Sequence, residues 1–291
     1  MRRAGISLLL ALLSTAGCSK EPPPAPPPPP MPQVPVPPAP PLPELGEARF
    51  RDWSEVDEEK FLELPPPAAP PVLKWDFTSG RRYGYDFSES LSQRIEGTAG
   101  GKRSLITSRE KNRGVFEFAA GRDHTALAMS KIQTQEAFLN DQAIARESFT
   151  KRPPSVAEVF VDEDGTTESK SSKGLADVRL YFQCLFALQP GVRDLAPGKI
   201  TTKLAGYSKV GRYECARLES EFEIATEKPV ERALIRGRVL SYFAPAERKF
   251  IRASAAVANS SRGNTPSKEG VWITSSLDAL TGFRVRFLES P

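Results

Sequence analysis

Hydrophobic and polar positions alternate with a period of two along much of the chain beyond residue 80. Tyr83, Tyr85, Phe87, Leu91 and Ile95 share one parity, while Gly84, Asp86, Ser88, Ser90, Ser92 and Arg94 hold the other. Such spacing predicts a long strand with one buried and one wetted face. Ala216, Leu218, Phe222 and Ile224 alternate with Arg217, Glu219, Glu221 and Glu223 in the same way. Ile251, Ala253, Ala255 and Val257 predict a third strand, set against Arg252 and Ser254. Turn signals separate these runs. "EDGT" at 163–166 follows "VAEVFV", "SKVGR" divides "ITTKLAGY" from "YECARLESEFEI", and "APAER" divides "LIRGRVLSYF" from "KFIRASAAV". Long amphipathic strands joined by short turns pair antiparallel. The expected fold is mainly β: a long curved antiparallel sheet, as an open half-barrel or a sandwich, with few helices. Residues 134–148 fit either a helix or an extension of the preceding strand, and 174–191 mix signals.

The pattern before residue 72 is different. Arg2 and Arg3 precede an apolar run from Ile6 to Leu13 and the small residues Ser14 to Gly17. Charged head, short apolar core and small-residue end make residues 1–17 a secretory signal peptide. The apolar run is far short of the roughly 20 residues that span a bilayer. "STAGC" then resembles the lipobox of bacterial lipoproteins, with Thr15 standing where leucine is usual. That resemblance implies that Cys18 becomes the mature N-terminus and carries the lipid, as a diacylglycerol thioether with an acyl chain (a palmitate, for example) on its amine. It further implies an outer-membrane protein, since Ser19 replaces the aspartate that marks inner-membrane retention.

Residues 18–45 read as a disordered, proline-rich tether, because the run from Pro22 to Pro43 offers too few backbone donors for helix or sheet. In polyproline II, at about 3.1 Å per residue, that run reaches on the order of 65 Å. In residues 46–64, Trp53, Val56, Phe61 and Leu64 fall at helical spacing, and Ser54 with Asp57 forms a capping signature. A short acidic amphipathic helix is expected there, closed by the proline linker 65–71. Residues 72–291 form the β-rich domain. The whole chain carries +4, residues 44–64 carry −5 and residues 65–291 carry +7, so the acidic segment is expected to dock electrostatically on the domain or on a partner.

Candidate chemistry changes this picture little. His124 is the only histidine, and zinc sites draw several His or Cys ligands at short spacing. No metal or cofactor is expected. No G-x-S-x-G elbow supplies a nucleophilic serine. "GTAGGKRS" at 97–104 fails the phosphate-loop spacing and reads as a glycine-rich turn, while "VDEDG" lacks the calcium-loop spacing. Glu219, Glu221 and Glu223 share a strand face, which is the one arrangement compatible with a hydrolase. Arg232, Arg236, Arg238, Arg248, Lys249 and Arg252 form a basic set suited to anionic lipid or glycan. Nucleic acid is excluded as a partner by the expected compartment.

With Cys18 assigned to the lipid, two cysteines remain. Cys215 shares the parity of Arg217 and Glu219, which predicts an exposed thiol, so a disulfide to Cys184 is expected. It would close a loop of about 31 residues and contribute roughly 3–4 kcal/mol. The alternative is two buried, reduced cysteines. The phrases "FTSGRRYGYDFSESL" and "VLSYFAPAERKFIRA" resemble the β-rich bodies of secreted lipoproteins of Gram-negative bacteria, and more loosely the open barrels of lipoprotein carriers. The expectation is a lipid-anchored, non-catalytic binding or assembly module of the cell envelope, with an envelope protein as partner. The second expectation is a carrier or sensor of a hydrophobic ligand, lined by residues such as Trp75, Phe77 and Tyr85. A hydrolase is the least favoured class.

Overall fold

The computed structural model describes residues 38–45, 59–76, 80–120, 125–144, 155–161, 167–168, 187–195, 198–267 and 271–289. They form one 13-stranded sheet, all of whose paired strands run antiparallel. No helix occurs among the described residues. The strands are β1 (Leu62–Leu64), β2 (Arg82–Ala99), β3 (Lys102–Ala120), β4 (Thr125–Leu139), β5 (Gln142–Ala143), β6 (Ser155–Val161), β7 (Thr167–Glu168), β8 (Gly191–Leu195), β9 (Gly198–Val210), β10 (Tyr213–Lys228), β11 (Glu231–Ala244), β12 (Lys249–Pro266) and β13 (Trp272–Phe287). Their order across the sheet is β1-β9-β10-β11-β12-β13-β2-β3-β4-β6-β7, with β5 on β4 and β8 on β9. The sheet is open and does not close into a barrel.

The three strands anticipated from alternation are β2, β10 and β12, and the turns at 208–212 and 244–248 join β9 to β10 and β11 to β12. The "GTAGGKRS" tract is the β2–β3 turn, where Gly100 and Gly101 take positive φ. Residues 134–139 extend β4 rather than coiling into a helix. One pairing has no turn behind it: β13, the last strand, lies beside β2, the first long one, from Ile273 opposite Ala99 to Phe287 opposite Tyr85.

Trp75 organises the inner face. It is 1% exposed and meets Tyr83 of β2, Phe243 of β11 and Phe250 of β12 with ring centroids 5.4, 6.3 and 5.1 Å apart. The Tyr85 hydroxyl donates to the Phe250 carbonyl at 3.2 Å, two strands away. A single residue touches β2 and β11, which lie three strands apart in the sheet, only because the sheet curls around it. Register shifts at Arg113/Gly114, Arg217/Leu218 and Tyr242/Phe243 kink three strands, the usual way a long strand bends. Leu73, Leu188, Ile200, Leu218 and Val285 complete this core. Trp75 and Tyr85 are therefore packed interior, and Phe77 lies outside the described residues.

An N-terminal strap touches the outer face at both ends of β12. The Asn264 amide donates to the Pro40 carbonyl at 2.6 Å, at one end of β12. Ala39, Leu42 and Leu45 are the half-buried residues of 38–45, and this spacing of three is the period of polyproline II. The outer residues Ser254, Ala256, Ala258 and Ser260 of β12 are buried too. At the other end of β12, Glu59 meets Arg252 at 2.8 Å, Glu63 meets Arg217 at 3.9 Å, and Phe61 packs edge-on against Tyr242 at 4.9 Å. The described end of the acidic segment, residues 59–64, thus meets basic residues of the domain. Its last residues correct the expected helix, however. Leu62–Leu64 is strand β1, paired with β9 from Leu62 opposite Lys209 to Leu64 opposite Tyr207. A helix this short is marginal in water, whereas the edge of β9 presents unpaired backbone groups that a strand satisfies. Residues 46–58 of that expected helix, like signal residues 1–17, lie outside the described residues.

Candidate ligand trough and its rim

Cys215 departs from the expected exposed thiol. It is 1% exposed, packed with Val210, Tyr213, Tyr242, Ala244 and Ile251 on the outer side of the sheet. Its parity is as anticipated, but that face is covered where Phe61 and the strap lie. The premise of an exposed thiol therefore fails. Cys184, Cys18 and His124 lie outside the described residues.

Burial pushes the Cys215 thiol from 9.0 up to about 12, with the nearby Glu247 charge adding to the rise. Burial likewise lifts the Tyr83 phenol from 10.0 to about 12, opposed by the Arg81 charge, and holds Tyr85 well above its ordinary value. Each group is neutral when folded and ionises more readily when unfolded. The stabilisation is thus complete below about pH 9 and is lost as pH rises towards about 12. Urea midpoints are expected to fall across that window, and the fall is shallower in Cys215→Ala and Tyr85→Phe. A flat wild-type profile would refute this assignment.

The charged outer face of β10 is consumed in ion pairs. Glu219 lies 2.8 Å from Lys203 and 3.6 Å from Arg238, Glu221 lies 3.6 Å from Arg238, and Glu223 lies 2.7 Å from Arg236. Partial burial pushes the Glu219 carboxyl up, but the hydrogen bond from Lys203 and the charges of Lys203, Arg238 and Arg217 outweigh it, and the net shift is downward. Arg232 pairs with Glu227. Arg248 donates to the backbone carbonyls of Trp75 and Lys74, and the Lys249 ammonium sits 3.8 Å from the centre of the Phe287 ring. These carboxylates and cations tie neighbouring strands and the segment before β2 together.

The inner face changes character along the strands. Past the aromatic plug comes a polar belt. The Asn112 amide donates to Glu89 at 3.0 Å, and Gln135, the register partner of Asn112, donates to Glu110 at 3.4 Å. The side-chain carbonyl oxygens of Asn112, Gln135 and Asn259 are buried without a hydrogen-bond partner, which is costly unless a donor arrives. Beyond the belt, Leu277, Ile95 and Ile106 stand side by side on β13, β2 and β3. Leu277 and Ile95 are half-buried, and Ile106 is 38% exposed. Curling of the sheet makes this face a trough, which among the described residues is plugged at the Trp75 end and open at the other. Sequence reasoning chose the plug residues as ligand contacts and missed the belt. The signal that was available is the polar break in the inward parity of β3, where Asn112 and Glu110 interrupt the apolar set.

At the plugged end, Pro71, Val72, Lys74, Pro245, Ala246 and Arg248 outline a surface depression of about 450 Å³. Among the described residues no group of three or more His, Cys, Asp and Glu side chains is placed to hold a metal ion.

No protein-family model and no curated protein matches the chain by sequence. Among solved structures it is similar to lipovitellin, at 10% identity and a TM-score of 0.43, over 74% of this chain and 26% of that one. It is also similar to a DUF1329 family protein from Desulfovibrio piger (11% identity, TM-score 0.13, 70% and 85% covered). A third is a putative outer membrane lipoprotein-sorting protein domain from Vibrio parahaemolyticus (11% identity, TM-score 0.13, 70% and 86% covered). The chain thus spans about a quarter of the lipovitellin chain. Similarity at this level transfers neither ligand nor activity.

Proposed function

We propose that this protein is a lipid-anchored lipoprotein of the cell envelope that binds without catalysing, holding an amphipathic ligand in the trough of its curled sheet. In this reading Cys18 carries the lipid, the run from Pro22 is the tether, and the domain is held at the outer membrane. The supporting observation is the inner face itself: among the described residues its aromatic core lies at the Trp75 end, and beyond it stand the half-covered Leu277–Ile95–Ile106 row and three buried carbonyl oxygens without donors. A ligand with an apolar tail and a donor-bearing head satisfies both features. The pairing of Glu219, Glu221 and Glu223 with basic neighbours weighs against a hydrolase.

The test is mass spectrometry of ligands retained by the full chain after mild extraction from membranes. An amphiphile is expected in stoichiometric amount with wild type, lost in Ile95→Glu and retained in the outer-face variant Glu223→Gln. Wild-type protein that retains no amphiphile overturns the reading. Co-extraction of a stoichiometric protein in its place supports an assembly module instead.

A further inference from the structure

We propose that the open end of the trough is a membrane-docking rim, which seats the domain directly on the bilayer that holds its N-terminus. Four hairpin ends meet there. Ala99 opposite Lys102 closes β2–β3, Pro266 opposite Trp272 closes β12–β13, and Lys228 opposite Glu231 closes β10–β11. The Asn264 N–H donates to the Val230 carbonyl at 2.9 Å, joining two of these ends. Asn140, in the β4–β5 turn, donates from its backbone to Thr107 of β3 at 2.8 Å, adding the fourth.

Every one of these ends carries a large exposed hydrophobic: Leu105 (48%), Val230 (40%), Val271 (41%) and Ile144 (49%). Together with Ile106, Leu139 and Ile273 they make up seven of the eleven such residues among those described, so the exposed apolar surface is concentrated at one end. Exposed apolar side chains gathered at one end of a fold suit an interaction surface. The opposite end carries only two of the eleven, Leu62 opposite Lys209 and Val72 beside Pro245–Arg248.

Two further observations select a lipid surface as the occupant. The first is where the chain leaves. Pro40 is held by Asn264, two residues from the β12–β13 end, so the described chain enters the domain at Pro38 on this same rim. The 20 residues from Cys18 to Pro38 need not stretch to bring the rim to the bilayer. The second is composition. Trp272 stands at the rim with Lys102 on the neighbouring hairpin, where Arg103 pairs with Glu96, and residues 65–291 carry +7. An indole at the headgroup level and basic residues facing anionic lipid suit an interface. The inference rests on the lipid-anchor part of the reading above and gives it a direction: the trough opens onto the lipid.

The experiment uses the full lipidated chain on vesicles of phosphatidylethanolamine and phosphatidylglycerol, with acyl chains brominated near the headgroup. Bromine quenches tryptophan on contact. Wild type is expected to float with the vesicles and to lose the part of its emission that Trp272→Phe removes, while Trp75, buried at the far end, stays bright. The triple variant Leu105→Ser/Val230→Ser/Val271→Ser is expected to float through Cys18 yet lose the quenching; Val271→Ser alone reports the same effect should the triple variant not fold. Flotation with Trp272 unquenched overturns the rim and leaves the anchor intact. Failure to float overturns both, and Cys18→Ser measures what the rim contributes alone.

Discussion

Trp75→Ala is expected to destabilise the domain by about 3–5 kcal/mol, the range for removing a large aromatic from a packed core. The side chain is 1% exposed and is the shared neighbour of Tyr83, Phe243 and Phe250. Its backbone seat does not depend on the indole: Arg248 donates to the Trp75 carbonyl at 3.0 Å and accepts from the Asp76 N–H at 3.1 Å. The segment therefore stays docked, and the loss appears as an unfilled cavity rather than as release of the chain before β2. Urea unfolding followed by far-ultraviolet circular dichroism measures it. Trp75→Phe is expected to recover much of the difference, and a cost below about 1 kcal/mol for Trp75→Ala would mean that the sheet does not curl around this residue.

Gly237→Val is the second large effect. Gly237 lies directly opposite Phe222, and a Cβ built there runs into the Phe222 ring. Phe222 is buried in the main core, so its ring has nowhere to swing. An aromatic lying over a cross-strand glycine is a recognised way of stabilising a sheet that must bend. Overpacking of this kind costs about 1–3 kcal/mol. The decisive measurement is the double-mutant cycle. Phe222→Ala costs about 3–5 kcal/mol alone, but removes the clash, so Gly237→Val is expected to be nearly neutral in that background. Additive costs would show that the two residues do not touch.

How much of this was legible in the sequence depends on the range of each interaction. Alternation along β2, β10 and β12 follows from the side-chain period of a strand, and their hairpins follow from Gly, Pro and Asp at the turns. The inward parity of Tyr83, Tyr85 and Phe87 was likewise readable. Cys215 shows the boundary. Its parity was readable, but its exposure was not, because the cover on that face comes from the neighbourhood of Phe61, over 150 residues earlier. Ser254, Ala256, Ala258 and Ser260 look like a wetted face by composition and are buried. Leu62–Leu64 shows the converse case, where weak local helix signals yield to the open edge of β9.

By itself, then, the sequence determined a mainly β domain of long antiparallel strands, a proline-rich arm ahead of it and a basic domain facing an acidic segment. Those features are written in local periodicity, in φ restriction at proline and in summed charge, all of which act within a few residues. Only the tertiary structure decided that β13 joins β2, that the sheet curls around Trp75, that the arm touches the outer face at both ends of β12, and that most exposed apolar residues lie at one rim. Each of these depends on contacts between segments far apart in the chain. Their partners are selected by which buried surface fits which, and no local pattern encodes that choice.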